Sequence, residues 1–522
     1  MSASAEKKNR RAAREAGTDK KTLAAEAEAK KQAKSKLRWT LGTIGVLLLI
    51  AAILFLNTTF LYTSTTALTV AGEKYSPAQV SYRYANQFFT FANQYGSYAS
   101  IFGLDTSGGL TGLRNQSCPM LEDGTWRDYF LESAQQELIQ TKALCDYAAQ
   151  NGISLTQEEI DEAEADFEGI EDYAKSLGYS GAKAFLSTNY GRGVTPALAM
   201  QIARDSALAS KAYAHVYDST EYSSEELEEH YQSLNGDQDV FDFAYYYAAA
   251  ETVESEDENG ETVSEPTEET LAAAKTLADT ILASYEELVG SAEGDVDYAA
   301  ALDSAVAACV EGGYATHPTS YTGSSLGAYA DFLKGDRSAG DADVVENSGS
   351  TGYYVVVFLS RDDNHYPLAQ VRHILVMAEA DEDGTYSDEA KAAAKARAEE
   401  ILQEWKDTDP TEDYFATLAE VYSDDGGSNT NGGLYDAVFK GQMVPEFDAF
   451  CFEGHQPGDT GIVYGESGSY AGYHVMYYVG EGEQYSDYIA RTALLSEDMN
   501  EWLTGLTEGY EATPGFGMRF VG

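Results

Sequence analysis

Residues 371–376 read VRHILV, an apolar, β-branched run of strand composition that holds one of only seven histidines in 522 residues. A histidine in such a run is ordinarily a core side chain satisfied by a backbone carbonyl. What changes its reading is an internal repeat. DYAAAL at 297–302 returns as DYFATL at 413–418, LGAYADFLKG at 326–335 as LYDAVFKG at 434–441, and TGYYVVVF at 351–358 as AGYHVMYY at 471–478. Each copy also carries an alanine-rich helical stretch between its first strand and its DY helix, so two related α+β domains follow one another. Laid on the first copy, VRHILVMAEA falls on FDFAYYYAAA at 241–250, which sets His373 over Phe243 and His474 over Tyr354. Both histidines are missing together from the first copy, as expected if they share one chemical task.

Around this repeat the charge is unevenly placed. Residues 1–38 hold 12 Lys/Arg against 5 Asp/Glu, and the remainder holds 22 against 81, a net +7 followed by −59. Between Arg38 and Glu73 there is no charged residue, and LGTIGVLLLIAAILFL at 41–56 continues to Phe60–Tyr62. That run has the length of a membrane span, and the basic leader places the N-terminus in the cytoplasm with the acidic bulk outside. A cleaved signal peptide ending near LTVA is the competing reading. Strong acidity excludes a nucleic-acid partner, since phosphate binding needs clustered Lys and Arg. Cys118, Cys145, Cys309 and Cys451 match no zinc spacing, and either a Cys118–Cys145 disulfide or buried free thiols fit their placement. No metal site or cofactor motif is present. GESGS at 465–469 misses the nucleophile elbow, and there is neither a P-loop nor HExxH.

Between the apolar run and the repeat lies a helical region. Thr156 with Glu159 and Ser223 with Glu226 read as capping boxes, and Phe130, Leu131, Leu138 and Ile139 recur at helical spacing as core. The C-terminal YIARTALLSEDMNEWLTGL reads as an amphipathic helix.

The segment between the two histidines supplies YSDDGG at 422–427, GGLYDAVFKGQMVPEF at 432–447 and FCFEGHQPGD at 450–459. With the HILV strand before it and GYH at 472–474 after it, this series resembles the parvulin-type peptidyl-prolyl cis-trans isomerases. With the helical region and the tandem repeat, the chain is similar to exported foldases of the PrsA and SurA kind. The resemblance implies that His373, His474, Asp425 and Ser469 are the catalytic group and that Leu434, Met443 and Phe447 line a pocket for the proline ring. Tyr435 and Asp436 stand where the family usually has glycine, and Ala471 where some members have serine.

The resulting expectation is an α+β chain in six parts. These are a basic cytoplasmic leader (1–38), a transmembrane anchor (39–62), a SurA-like helical chaperone module (63–240), a degenerate parvulin-like domain (241–362), a parvulin domain with an antiparallel sheet and surrounding helices (367–482), and a C-terminal helix and tail (483–522). The implied function is a single-pass, membrane-anchored isomerase and chaperone acting on unfolded or partly folded exported proteins with X-Pro bonds, without cofactor. A holdase lacking isomerase activity is the alternative.

Overall fold

The computed structural model describes residues 3–56, 58–256, 262–381, 384–468 and 470–522. The chain divides into two compact units, residues 1–220 with 498–522, and residues 221–497.

The first unit is built on the helices Pro77–Tyr95, Trp126–Asn151 and Pro196–Ser219. Ser76 and Gln79 close a capping box with Pro77 in the first turn, and Thr156 with Glu159 forms the expected one. Phe130 and Leu138 are buried, while Leu131 and Ile139 pack half-buried at the edges of their clusters. A three-stranded antiparallel sheet joins Leu68–Val70 to Glu73–Tyr75 on one side and to Ala512–Pro514 on the other. Trp502, Leu503 and Leu506 cover Leu144, Ala148, Ala209 and Ala212. All four cysteines are free thiols, so the Cys118–Cys145 bridge does not form. Cys118 sits in the cluster around Trp126, whereas the Cys145 thiol donates to the Asp205 carbonyl at 3.3 Å, in a different cluster.

The expected membrane span over 39–62 is not supported. The helix Lys20–Leu56 takes up the charged leader as well as the apolar run and ends six residues before Tyr62, where the expected span was drawn to end. Asn57 lies outside the described residues, and Phe60–Ser64 is a separate short helix. Among the described residues no helix is long and apolar enough to cross a membrane.

The second unit contains the repeat as two four-stranded antiparallel sheets. The first runs in the order Tyr321–Thr322, Val240–Ala249, Gly352–Asp362, Ala342–Glu346, and the second in the order Leu434–Val438, Pro367–Met377, Tyr470–Gln484, Thr460–Ser467. Each sheet alternates its side chains between two faces. In the second sheet Ile374, Val376 and Val475 pack against Ala398, Ile401, Trp405, Phe415 and Leu418 of the helices Asp388–Thr408 and Glu412–Tyr422. Ser387 caps the first of these helices by accepting from Ala390 N–H, and Asp388 and Glu389 complement the dipole of its first turn. The opposite face is covered by Pro445–Phe452, whose Phe447, Phe450 and Cys451 meet Val371, Met476 and Tyr478.

The short link between the two sheets is pinned by Asn364, buried with φ of 61°, a left-handed conformation that asparagine tolerates. Its side-chain amide donates to Tyr231 Oη at 2.9 Å and to the Gln238 carbonyl at 2.7 Å, and its backbone carbonyl accepts from Ser486 N–H at 2.9 Å. The capping-box helix Ser224–Ser233 therefore belongs with this unit.

Strand register corrects the alignment of the two copies. His474 lies opposite Leu375, and Tyr354 lies opposite Tyr247, so with Tyr354 matched to His474 the residue under His373 is Tyr245, two positions beyond Phe243. A slip of two residues leaves every side chain on its own face, so the hydrophobic pattern did not reveal it. The joint absence of histidine from the first copy is unchanged by the correction.

Candidate active site

His373 and His474 project from neighbouring strands on the face turned away from the helices Asp388–Thr408 and Glu412–Tyr422. Met476 is the residue directly opposite His373, so the two histidines are diagonal neighbours. Their rings stack with centroids 5.2 Å apart at 30°, and the two Nδ1 atoms approach to 3.0 Å. Both are buried, at 3% and 5% exposure, which requires each ring nitrogen to find a partner.

The partner of His373 Nε2 is Asp425 Oδ2 at 2.9 Å, with Ser428 Oγ at 3.1 Å. The same carboxylate oxygen accepts from Ser428 Oγ at 2.5 Å and from Tyr435 Oη at 3.1 Å, while Oδ1 accepts from Gly427 N–H at 3.0 Å. The hydrogen bond from His373, helped by those from Ser428 and Gly427, holds the Asp425 carboxyl well below the usual carboxylate range against the opposing effect of burial. An ionised carboxylate only accepts, so the His373 ring carries a proton on Nε2. At the other end, His474 Nε2 lies 3.0 Å from Tyr470 Oη. Burial, with His373 alongside, pushes the pKa of His474 down to about 3, only partly opposed by Asp425.

Phe447 stands edge-on to both imidazoles, with centroids 5.3 and 5.2 Å away, and Met443 belongs to the same apolar cluster. The structure therefore brings together His373, Asp425, His474, Met443 and Phe447. Leu434 is not among them. It pairs with Arg372, on the face opposite His373, and the neighbouring Tyr435 takes its expected place, 5.3 Å from the His373 ring. Just beyond Tyr435 the pairing of this strand shifts register, between Tyr435 and Val438. Ser469 lies outside the described residues.

Gly433 lets the chain pass close to the His373 strand. Its carbonyl accepts from His373 N–H at 2.9 Å, its φ is 71°, and a Cβ there would come within 2.2 Å of the His373 carbonyl oxygen. Sequence reading missed Ser428, Tyr435 and Tyr470. Ser428 follows Asp425 by three residues in one tight turn, and Tyr470 precedes His474 by four on one strand face, spacings that could have singled them out. Cys451 is no nucleophile, since burial pushes its thiol up to about 12. Among the described residues no group of three or more His, Cys, Asp or Glu side chains is placed to hold a metal ion.

Residues 353–477 match the family described as the PPIC-type PPIase domain. The second sheet and its histidine pair thus form a parvulin-type peptidyl-prolyl isomerase domain. Among solved structures, the peptidylprolyl isomerase PrsA of Bacillus anthracis aligns at 22% identity over 28% of this chain and 59% of its own, with a TM-score of 0.18. PrsA of Bacillus subtilis aligns at 13% identity over 74% and 87% of the two chains, with a TM-score of 0.27. The foldase protein PrsA of Streptococcus pneumoniae aligns at 13% over 72% and 82%, with a TM-score of 0.22. The match spans less than two thirds of the Bacillus anthracis and Bacillus cereus proteins, 59% and 49% of their lengths. None of the curated proteins compared matches the chain. Likeness at this level establishes no activity for the whole chain.

The buried histidine has a consequence for acid stability. The His474 pKa falls from 6.5 to about 3 on folding, so between these values the unfolded chain binds the extra proton and stability falls as the pH drops. Asp425, also depressed, acts in the same direction at lower pH. Urea unfolding between pH 6.5 and 5 should therefore show a slope that flattens by up to one proton, about 1.4 kcal/mol per pH unit, in His474→Asn. Equal slopes in the two proteins would mean that His474 is not held neutral.

Proposed function

We propose that the chain is a foldase that catalyses cis-trans isomerisation of X-Pro bonds in unfolded exported proteins and binds such chains through its helical region. The observation that carries this reading is the buried, fully hydrogen-bonded His373–His474 pair, anchored by ionised Asp425 and walled by Phe447 and Met443.

Rotation about a peptide bond is opposed by ~18–20 kcal/mol of C–N resonance, and spontaneous prolyl isomerisation takes tens of seconds or more. No nucleophile is needed. The planar amide is the more polar form, and an apolar cradle that strips water from it favours the twisted one. In this reading Phe447 and Met443 grip the proline ring. The imidazoles, whose nitrogens are committed to one another and to Asp425 and Tyr470, form a rigid polar floor beneath it. The roles of His373, Asp425 and His474 as catalytic residues and of Met443 and Phe447 as the proline pocket belong to this proposal, as do the domain boundaries 241–362 and 367–482. The first copy, with Tyr245 and Tyr354 in a T-shaped contact at 5.6 Å, has no such floor and is proposed as a scaffold or client-binding surface.

Attachment to a membrane with the acidic bulk outside the cytoplasm is supported by the charge asymmetry and by the exposure of Leu41, Val46, Leu47, Leu48 and Leu49 on one helix. Protease added to intact cells should digest the second unit and spare the leader. Protection of the second unit would place it inside the cell.

Substrate choice follows from charge. The segment Met377–Glu389 holds six Asp/Glu and no Lys or Arg, so a phosphoryl group of charge about −1.5 to −2 would meet like charge there. Turnover of a phospho-Ser-Pro peptide should be no faster than that of its unmodified twin and slower at low salt, and Asp425→Ala should lower kcat/KM for both by about tenfold or more. A preference for the phosphorylated peptide, or full activity in Asp425→Ala, would overturn this assignment.

A further inference from the structure

The hydrogen bonds of the site run in one direction. Asp425 accepts from His373 Nε2, and when that is the ring's one proton, Nδ1 is an acceptor. The 3.0 Å contact between the two Nδ1 atoms then needs its proton on His474. That leaves His474 Nε2 as a bare lone pair inside the protein, and the group facing it at 3.0 Å is Tyr470 Oη. Burial raises the Tyr470 phenol above its ordinary pKa, so it remains protonated and donates. Proton positions thus follow from the carboxylate outward, ending at Tyr470.

A second observation concerns space. Tyr470 and His474 meet on the strand Tyr470–Gln484, with rings 5.8 Å apart at 82°. Across from them, on the neighbouring strand, stands Gly465, the first residue of GESGS. A Cβ at this position would lie 2.5 Å from His474 Nε2 and 2.8 Å from Tyr470 Oη. No left-handed backbone conformation calls for glycine here. Its hydrogen leaves room for this one contact, in a strand interior where glycine is otherwise unfavourable.

We propose that Tyr470 is a positioning residue for the histidine pair, its hydroxyl donating to His474 Nε2 and holding that ring as the Nδ1–H tautomer against His373, with Gly465 providing the space. The inference rests on the isomerase reading for its effect on turnover, but its geometry is independent of that reading. It places the hydroxyl that orients His474 one residue beyond Ser469, on a phenol whose ring also edges the site.

The test uses the full chain labelled with 15N in its histidines, and long-range proton–nitrogen correlation to read which ring nitrogens carry protons. In the wild type, His474 should show a protonated Nδ1 and a bare, hydrogen-bonded Nε2. In Tyr470→Phe the Nε2 resonance should move toward that of a lone pair without a donor, and kcat on an Ala-Pro peptide should fall about tenfold, as for one buried hydrogen bond, with KM little changed. Gly465→Ala should reproduce the Tyr470→Phe spectrum, and p-aminophenylalanine at position 470, which keeps a donor, should restore turnover. A protonated His474 Nε2 in the wild type, or an unchanged Nε2 in Tyr470→Phe, overturns the inference. Wild-type chain with the expected nitrogen spectrum but no turnover would support the positioning by Tyr470 and remove the isomerase reading instead.

Discussion

The hydrogen bond from His373 Nε2 to Asp425 anchors the polar network on the face of the second sheet that Pro445–Phe452 covers. Three donors converge on one carboxylate oxygen and a backbone N–H on the other, and together they stabilise the charge of Asp425. Because that charge is fixed, His373 keeps a proton on Nε2. A buried polar group that lacks its partner costs a few kcal/mol. Removing Asp425 therefore disturbs more than one contact. It frees the His373 ring to take either tautomer and leaves Ser428 and Tyr435 without their acceptor.

Packing surrounds this network without competing with it. The helices Asp388–Thr408 and Glu412–Tyr422 seal one face of the sheet with alanine, isoleucine, tryptophan and phenylalanine. Phe447 on the other face holds both imidazoles edge-on. In the first copy the same sheet order and helix packing persist, yet Tyr245, Tyr329 and Tyr354 fill the corresponding place with ring-on-ring contacts. These aromatic rings, half-buried where the histidines are buried, fill the face while supplying no acceptor in the ring. The fold tolerates either solution, so the chemistry of this domain class depends on a few side chains and not on its architecture.

Much of the fold was legible because it rests on repetition and local signals. The tandem repeat showed two related α+β domains, the capping boxes at Thr156 and Ser223 marked real helix starts, and His373, Asp425 and His474 could be named before their contacts were known. What escaped notice were features invisible to a period of two. The alignment of Phe243 with His373 was off by one pleat, and Leu434 was assigned to a face that Tyr435 occupies. Tyr470 was overlooked because a hydroxyl four residues from a histidine has meaning only once the strand is extended and a glycine opposite makes room. The membrane span was inferred from hydropathy over 39–62, whereas the helix joins its first 18 residues to a charged leader and ends at Leu56.

The most direct measurement is cis-trans exchange of an Ala-Pro peptide, followed by NMR exchange spectroscopy with catalytic amounts of the full chain and of the double variant His373→Leu/His474→Leu. Exchange accelerated by the wild type and returned to the uncatalysed rate by the double variant, with folding of the variant verified by its unfolding transition, is the expected result. Equal acceleration by both proteins would contradict it, because the turnover would then arise away from the histidine pair, for example in the first copy.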